Sequence, residues 1–113
     1  MENMKSLLDE VNASIGFLSK EHSEYMAAFG KFMEVVEKDG ALPKKTKEII
    51  SVALAVIKQC KYCIAFHVHN ALEAGATKDE IIEACFVASL MGGGPSLMYT
   101  QLVFKALEEF KKD

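Results

Sequence analysis

Two cysteines and a histidine lie close together near the middle of the chain. Cys60, Cys63 and His67 all belong to the eight-residue stretch CKYCIAFH. If this stretch opens a helix, spacings of three and four residues place the three side chains on one face. Backbone N–H groups at a helix start stabilise a thiolate, and a neighbouring imidazole can accept the thiol proton. The spacing therefore predicts a cysteine nucleophile and a second cysteine that can close a disulfide.

Glu48 is a further candidate for this site, although it precedes the first cysteine by twelve residues. If the chain turns at Lys58-Gln59 and the flanking helices run antiparallel, Glu48 faces His67 or His69. A carboxylate beside an imidazole orients the ring and makes it a better base. First-turn glutamates are also common because they complement the helix dipole, and the residues alone favour this simpler role for Glu48.

A pair of cysteines three residues apart also binds zinc in many proteins. A closed zinc site needs four ligands, and the sequence has no second CxxC and no HxxxH. His69 or Cys85 would complete such a site only if the fold brought it to the pair. We expect His69 to be structural and Cys85, in an apolar segment, to be a buried small hydrophobe. Thiol redox chemistry, which needs no metal and no organic cofactor, is the favoured interpretation.

The elements that hold these residues are all predicted to be helices. Apolar residues recur at helical spacing in successive segments, and no segment alternates with a period of two for long. Pro43, a capping signal at Thr77-Lys78-Asp79-Glu80 and the run Gly92-Gly93-Gly94-Pro95 mark boundaries. The sequence thus predicts an all-α fold of six helices, over about 4–19, 21–38, 44–57, 60–75, 78–91 and 95–112. The third is apolar almost all round and is predicted to be the buried central helix.

Length and composition predict one globular domain over residues 1–113. The net charge of −3 and the absence of arginine and tryptophan argue against a nucleic-acid partner. No apolar run approaches the roughly 20 residues that span a bilayer, and the N-terminus has no signal pattern. We therefore expect a cytoplasmic protein without a membrane partner. Three cysteines, two of them clustered, do not suit a disulfide-stapled secreted domain.

The spacing of four residues resembles a known signature. Glu48, eleven residues, Cys60, two residues, Cys63, three residues and His67 is similar to the signature of the alkylhydroperoxidase D-like proteins. These proteins form a branch of the carboxymuconolactone decarboxylase family. The similarity begins at Lys44 and covers roughly the second half of the chain.

The resemblance implies an all-helical bundle assembled as a homo-oligomer, often a trimer of dimers and hence a hexamer. An apolar third helix in so short a chain also predicts association, because one small bundle cannot cover its surface. The resemblance further implies a hydroperoxide or disulfide substrate and an external thiol reductant, which in some relatives is a lipoyl-bearing protein. Some members place a relay histidine between the cysteines, where this chain has Tyr62.

Three functions are open on these grounds. In the leading one, a thiol peroxidase or disulfide reductase, Cys63 attacks the substrate, Cys60 resolves the intermediate, and His67 with Glu48 moves the proton. Cys60 lies nearest the helix start, but Cys63 has His67 one turn later, and this second effect favours Cys63 as the nucleophile. The lactone decarboxylase activity that names the family has no evident use for a CxxC pair. The third is a non-catalytic oligomeric module with a structural or zinc-holding pair.

Overall fold

A computed structural model describes residues 3–111 of the chain. Within these residues the chain forms helices and no strand, and the all-α prediction is confirmed. The five helices are α1 (Met4–Glu21), α2 (Ser23–Glu37), α3 (Lys44–Lys58), α4 (Lys61–Glu73) and α5 (Lys78–Phe110). The core lies where α3, α4 and α5 pack against one another, and α1 closes one side of it.

The predicted fifth and sixth helices are both present, as two helical segments of α5 that meet at Gly93, so the predicted boundary at the glycine run is confirmed. α5 runs over 33 residues and has a single non-helical residue, Gly93, with φ 73° and ψ −159°. A glycine adopts this backbone conformation without strain because it has no Cβ. Pro95 follows within the same element. The glycine run therefore separates the two helical segments, and Pro95 lies near the start of the second, as predicted. Lys112, where the sixth helix was predicted to end, lies outside the described residues.

The length and hydropathy of α5 as a whole can be compared with those of a membrane-spanning helix. Among the described helices, α5 alone is long and apolar enough to cross a membrane by length and composition. The expectation concerned uninterrupted apolar runs, and Gly93 divides α5 into two segments that are each shorter than the roughly 20 residues needed to span a bilayer. α5 nevertheless packs against both α3 and α4, and it carries the buried polar side chains of Ser96 and Thr100.

α3 is buried on one face only, so the prediction that it is buried all round is wrong for the single chain. α4 and α5 cover the side that carries Glu48, Val52, Ala55 and Val56. The opposite side exposes large apolar side chains, namely Ile50, Leu54 and Ile57. This apolar face of α3 is therefore exposed in the single chain.

The turn between α3 and α4 sets the register of the two helices. Gln59 takes the left-handed conformation at the end of α3, with φ 55° and ψ 44°. The N–H of Cys60 donates to the carbonyl of Ala55 at 3.1 Å, which closes the end of the helix. Two residues therefore reverse the chain, and the predicted turn at Lys58-Gln59 is confirmed.

The start of α5 is fixed by a capping box. The N–H of Glu80 donates to Oγ1 of Thr77 at 3.1 Å, and the N–H of Thr77 donates to Oε1 of Glu80 at 2.8 Å. The other oxygen of Glu80 accepts from Nζ of Lys45 on α3 at 3.1 Å. The predicted helix start is confirmed, and an ion pair ties it to the helix that carries Glu48.

Candidate active site

Cys60 and Cys63 form a disulfide at the start of α4, with their Cα atoms 5.3 Å apart. Cys60 is the N-cap residue, and its Sγ accepts a hydrogen bond from the N–H of Cys63 at 3.2 Å. Cys63 lies in the first turn of the helix. Both sulfurs therefore lie at the positive end of the helix dipole, where a thiolate is stabilised.

His67 lies one turn after Cys63 and is hydrogen bonded to Glu48. Nδ1 of His67 lies 2.8 Å from Oε1 of Glu48, and Glu48 is only 1 % exposed. The predicted register between α3 and α4 is thus confirmed, with His67 as the histidine that faces the carboxylate. His69 instead packs edge-on against Phe110, with ring centroids 5.4 Å apart, as expected for a structural residue.

The electrostatics of Glu48 decide how His67 holds its protons. Burial, the largest single effect, would raise the pKa of Glu48. Hydrogen bonds from His67 and Glu37, together with nearby positive charge, outweigh burial and leave that pKa below its ordinary value. An ionised carboxylate only accepts hydrogen bonds, so Nδ1 of His67 carries the proton in this contact. The other ring nitrogen, Nε2, is then a proton acceptor.

Glu37 is a third titratable residue at this site, beside Glu48 and His67. No feature of the sequence predicted its presence there. It is the last residue of α2, and its carboxyl group, that of Glu48 and the ring of His67 offer ligand atoms within 4.8 Å of one another. Burial and the hydrogen bond and charge of Glu48 raise the pKa of Glu37 above its ordinary value, against smaller opposing effects of His67 and Lys44. Residues 38–43 bring α2 to this point, and their path follows no periodic pattern.

Two side chains brace the end of α2 against α3. Nζ of Lys47 donates to the carbonyl oxygens of Val36 and Lys38, at 2.7 and 2.6 Å. The N–H of Lys44 donates to Oδ1 of Asp39 at 2.7 Å. These bonds satisfy carbonyl groups at the end of one helix and an N–H group at the start of the next. They fix the backbone on both sides of Glu37.

A cavity of about 230 Å³ opens beside the two carboxyl groups. Its lining is mostly polar and comes from α2, α3 and the end of α4, namely Glu37, Lys44, Glu48, Asn70, Glu73 and Ala74. At about 30 Å³ for each molecule, this volume holds several waters, and the polar lining offers them hydrogen bonds. The buried carboxylate of Glu48 therefore has a route to solvent on the side of Glu37.

The close group of potential metal ligands among residues 3–111 is formed by Glu37, Glu48 and His67. It includes neither cysteine of the pair. His69 and Cys85, which a zinc site on the pair required, do not join the pair in this fold. The hydrogen bond between His67 and Glu48 accounts for the close approach of these two residues without an ion.

The third cysteine is separate from this site. Cys85 is fully buried in α5, as predicted, and burial raises the pKa of its thiol to about 11. Its thiol therefore stays protonated and unreactive at neutral pH. Tyr62, which lies between the paired cysteines, is exposed, and Nζ of Lys61 lies 5.5 Å from the centre of its ring.

These features define a small helical protein whose disulfide-forming cysteine pair is followed, one turn later, by a histidine held by a buried glutamate. Residues 23–106 match the model of the carboxymuconolactone decarboxylase family, and the chain belongs to this family. The region of the match contains all of α3 and α4, and hence every residue of the pair and its histidine and glutamate partners.

The chain is also similar to individual proteins and to solved structures. A carboxymuconolactone decarboxylase family protein from Legionella pneumophila is 42 % identical, with a TM-score of 0.93 over 96 % of this chain and 97 % of that one. An uncharacterised protein of Cupriavidus necator is 40 % identical over 96 % of this chain and 93 % of its own length. The alkyl hydroperoxide reductase AhpD of Corynebacterium aurimucosum is 35 % identical over 56 % of this chain, which corresponds to 35 % of that protein.

Proposed function

We propose that this protein is a thiol-dependent oxidoreductase that reduces organic hydroperoxides or disulfides. The observation that carries the proposal is the Cys60–Cys63 disulfide at a helix start, with His67 one turn later and hydrogen bonded to buried Glu48. This arrangement combines a stabilised thiolate, a base and a group that orients the base. The similarity to the alkyl hydroperoxide reductase AhpD of C. aurimucosum supports the same chemistry.

In the oxidative half-reaction, the thiolate of Cys63 attacks the terminal oxygen of a hydroperoxide. The O–O bond breaks, Cys63 becomes a sulfenic acid, and the leaving alkoxide takes a proton from Nε2 of His67. The thiol of Cys60 then attacks the sulfenic acid, and a disulfide forms with loss of water. An external dithiol attacks this disulfide, becomes oxidised itself and returns both cysteines to thiols.

Thiol counting tests this function directly. Reduced protein is freed of reductant, treated with one equivalent of tert-butyl hydroperoxide and titrated for thiols after unfolding. The proposal expects the loss of two thiols per chain, with Cys85 remaining. Cys85→Ala is the matched control, because it should lose the same two thiols. A dithiol form that keeps all its thiols under hydroperoxide and under oxidised lipoamide would overturn the proposal.

The electron donor is proposed to be a dithiol such as a lipoyl group on a partner protein. Dihydrolipoamide, dithiothreitol and reduced glutathione can be compared as reductants of the Cys60–Cys63 disulfide. A dithiol donor should reduce it faster than the monothiol at equal thiol concentration, because its second thiol resolves the mixed disulfide intramolecularly. Equal rates would argue against a dithiol partner.

We further propose that the chain is a soluble homo-oligomer in the cytoplasm, and a hexamer is the expected size. No residue of α2 is buried, yet one stripe of it carries large apolar side chains, namely Tyr25, Phe29, Phe32 and Val36. α5 exposes a second set next to its kink, including Leu90, Met91 and Met98. Exposed apolar surface of this extent favours association with further copies. Analytical ultracentrifugation at micromolar concentration tests this proposal, and a monomer would contradict it.

A further inference from the structure

We infer that Glu37 is the proton-exchange residue of this site, through which the buried pair of Glu48 and His67 exchanges protons with water in the adjoining cavity. This inference rests on the proposed thiol chemistry and adds a residue and a proton route to it. Glu37 acts through Glu48 and His67, so it is a positioning residue and not a catalytic one.

The first argument is the burial of the groups that the chemistry uses. The contact with Glu48 occupies Nδ1 of His67, and the carboxylate of Glu48 is almost fully buried. A proton that moves from Nδ1 to Glu48 therefore reaches water on the side of the cavity that Glu48 and Glu37 line together. Glu37 is only half buried, lies within 4.8 Å of both groups and lines the polar cavity. Of the two other acidic residues in the lining, Glu37 and Glu73, it is Glu37 that is hydrogen bonded to Glu48.

The second argument is that two carboxyl groups at this distance need a proton between them. Two carboxylates within hydrogen-bonding reach repel each other unless one is protonated, and then the protonated group donates to the other. The pKa of Glu48 lies below its ordinary value and that of Glu37 above it, so Glu37 takes up a proton more readily than Glu48 does. Glu37 can therefore give a proton to Glu48 or, after releasing its own to water, take one from it.

The third argument is that the fold holds Glu37 in place. Lys47 bonds the carbonyl groups of the residues on either side of it. The other charged or titratable groups around the carboxyl group are Glu34 on α2, which lines the neighbouring cavity with Glu37, and Lys44, Glu48, His67 and Glu73 on α3 and α4. On the α1 side, Ile15 and Ser19 line the neighbouring cavity, and neither titrates. The positive charge of Lys44 offsets part of the negative charge that the proton transfer creates.

The proton moves out and back along one route. When the thiol of Cys63 gives its proton to Nε2 of His67, Glu37 releases its own proton to water, the proton on Nδ1 moves to Glu48, and Glu37 then takes it up. When Nε2 later protonates the leaving oxygen or sulfur, the same steps run in reverse and return a proton to Nδ1. Each half-reaction thus balances, and the ring of His67 ends in the tautomer in which it began.

Glu37→Gln tests the inference, because glutamine keeps the size and the hydrogen bond to Glu48 but carries no exchangeable acid. Glu34→Gln is the matched control, since Glu34 lies one turn earlier on α2 and is exposed. The rate at which tert-butyl hydroperoxide oxidises the dithiol form is measured at pH 7 over increasing imidazole buffer. Glu37→Gln should be at least tenfold slower than wild type at low buffer and should recover as buffer increases, whereas the control should match wild type throughout.

A second measurement does not depend on turnover. With nitrogen-15-labelled histidine, NMR gives the rate at which the Nδ1 proton of His67 exchanges with water, and Glu37→Gln should slow this exchange at least tenfold. Unchanged exchange, or a rate loss that no buffer restores, would assign Glu37 a purely structural role and overturn the inference. If wild type itself shows no turnover with hydroperoxide or disulfide, the proposed function fails, and the exchange rates alone decide on Glu37.

Discussion

The charge of Glu48 should set the rate of the thiol chemistry, and Glu48→Gln isolates that charge. Glutamine can still accept a hydrogen bond from Nδ1 of His67, which lies 2.8 Å from the carboxylate oxygen. The change therefore removes the stabilisation of the imidazolium by a negative charge and leaves its orientation in place. Nothing else in the pair needs to move.

The size of this effect follows from the geometry. Opposite charges with centres about 4 Å apart attract by roughly 4 kcal/mol at an effective dielectric constant of about 20. The side chain of His67 is 22 % exposed, and Lys44 lies near the carboxylate, so we take about half of this value. If the stabilisation of the protonated imidazole falls by about 2 kcal/mol, the rate is about 30-fold lower, at roughly 1.36 kcal/mol for each factor of ten.

The assay is the single-turnover oxidation of the dithiol form by tert-butyl hydroperoxide at pH 7. Glu73→Gln serves as the matched control, because Glu73 lines the same cavity but lies 3.8 Å from His69 and not beside His67. Circular dichroism and sedimentation establish that both variants keep the fold and assembly. If Glu48→Gln reacts within twofold of wild type, the carboxylate does not support the base, and Glu48 has only a structural role.

Three further outcomes are expected. When the reduced protein is alkylated by iodoacetamide at neutral pH, mass spectrometry should locate the first label on Cys63, and Cys85 should stay unlabelled while the protein is folded. His67→Ala should slow the labelling of Cys63 only. A first label on Cys60 would mean that its N-cap position outweighs the effect of the histidine. In urea denaturation, Gly92→Ala should lose about 1–3 kcal/mol of the free energy of unfolding, because its Cβ would overlap Oγ of the buried Ser96. Gly94→Ala meets open space and should lose none, and equal losses in the two variants would refute the steric argument. The pKa of Glu37 is raised on folding, so its contribution to stability is present below the unfolded pKa and is lost as pH rises through the folded pKa. The pKa of Glu48 is lowered on folding, so its contribution is present above the unfolded pKa and is lost as pH falls through the folded pKa. Relative to wild type, the free energy of unfolding at pH 7 minus that at pH 3 should therefore increase in Glu37→Gln and decrease in Glu48→Gln, and shifts of the same sign would contradict the assignment.

The sequence predicted the parts of the site that local geometry determines. Cys60, Cys63 and His67 share a face because they belong to one helix, and helical spacing is readable from residue numbers alone. The contact of Glu48 with His67 is a step less local, but a two-residue turn leaves few possible registers between α3 and α4. Both predictions depend on separations within a single helical hairpin.

The errors have equally specific causes. The predicted break at the glycine run is confirmed by the non-helical backbone of Gly93, but the apolar face that α3 exposes was not predicted. Glu37 was missed because its approach to Glu48 depends on an irregular segment, residues 38–43, and on the bonds of Lys47 to carbonyl groups. Neither leaves a periodic signal in the sequence.

The contribution of α2 explains why a site whose cysteines and histidine lie on one helix needs the rest of the fold. A cysteine pair and a histidine on α4 are sufficient to place a thiolate near a base, but a base so close to the helix surface would exchange protons freely with water. α3 buries the partner of that base, Glu48, and so makes its charge effective at a low local dielectric constant. Burial in turn limits the contact of the Nδ1 proton with water, and α2 adds a carboxyl group, Glu37, where Glu48 meets the polar cavity. From sulfur to solvent, the groups are Cys63 and His67 on α4, Glu48 on α3 and Glu37 on α2. A substitution of Glu37 should therefore interrupt proton exchange at the solvent end of this series and leave the cysteines unaltered.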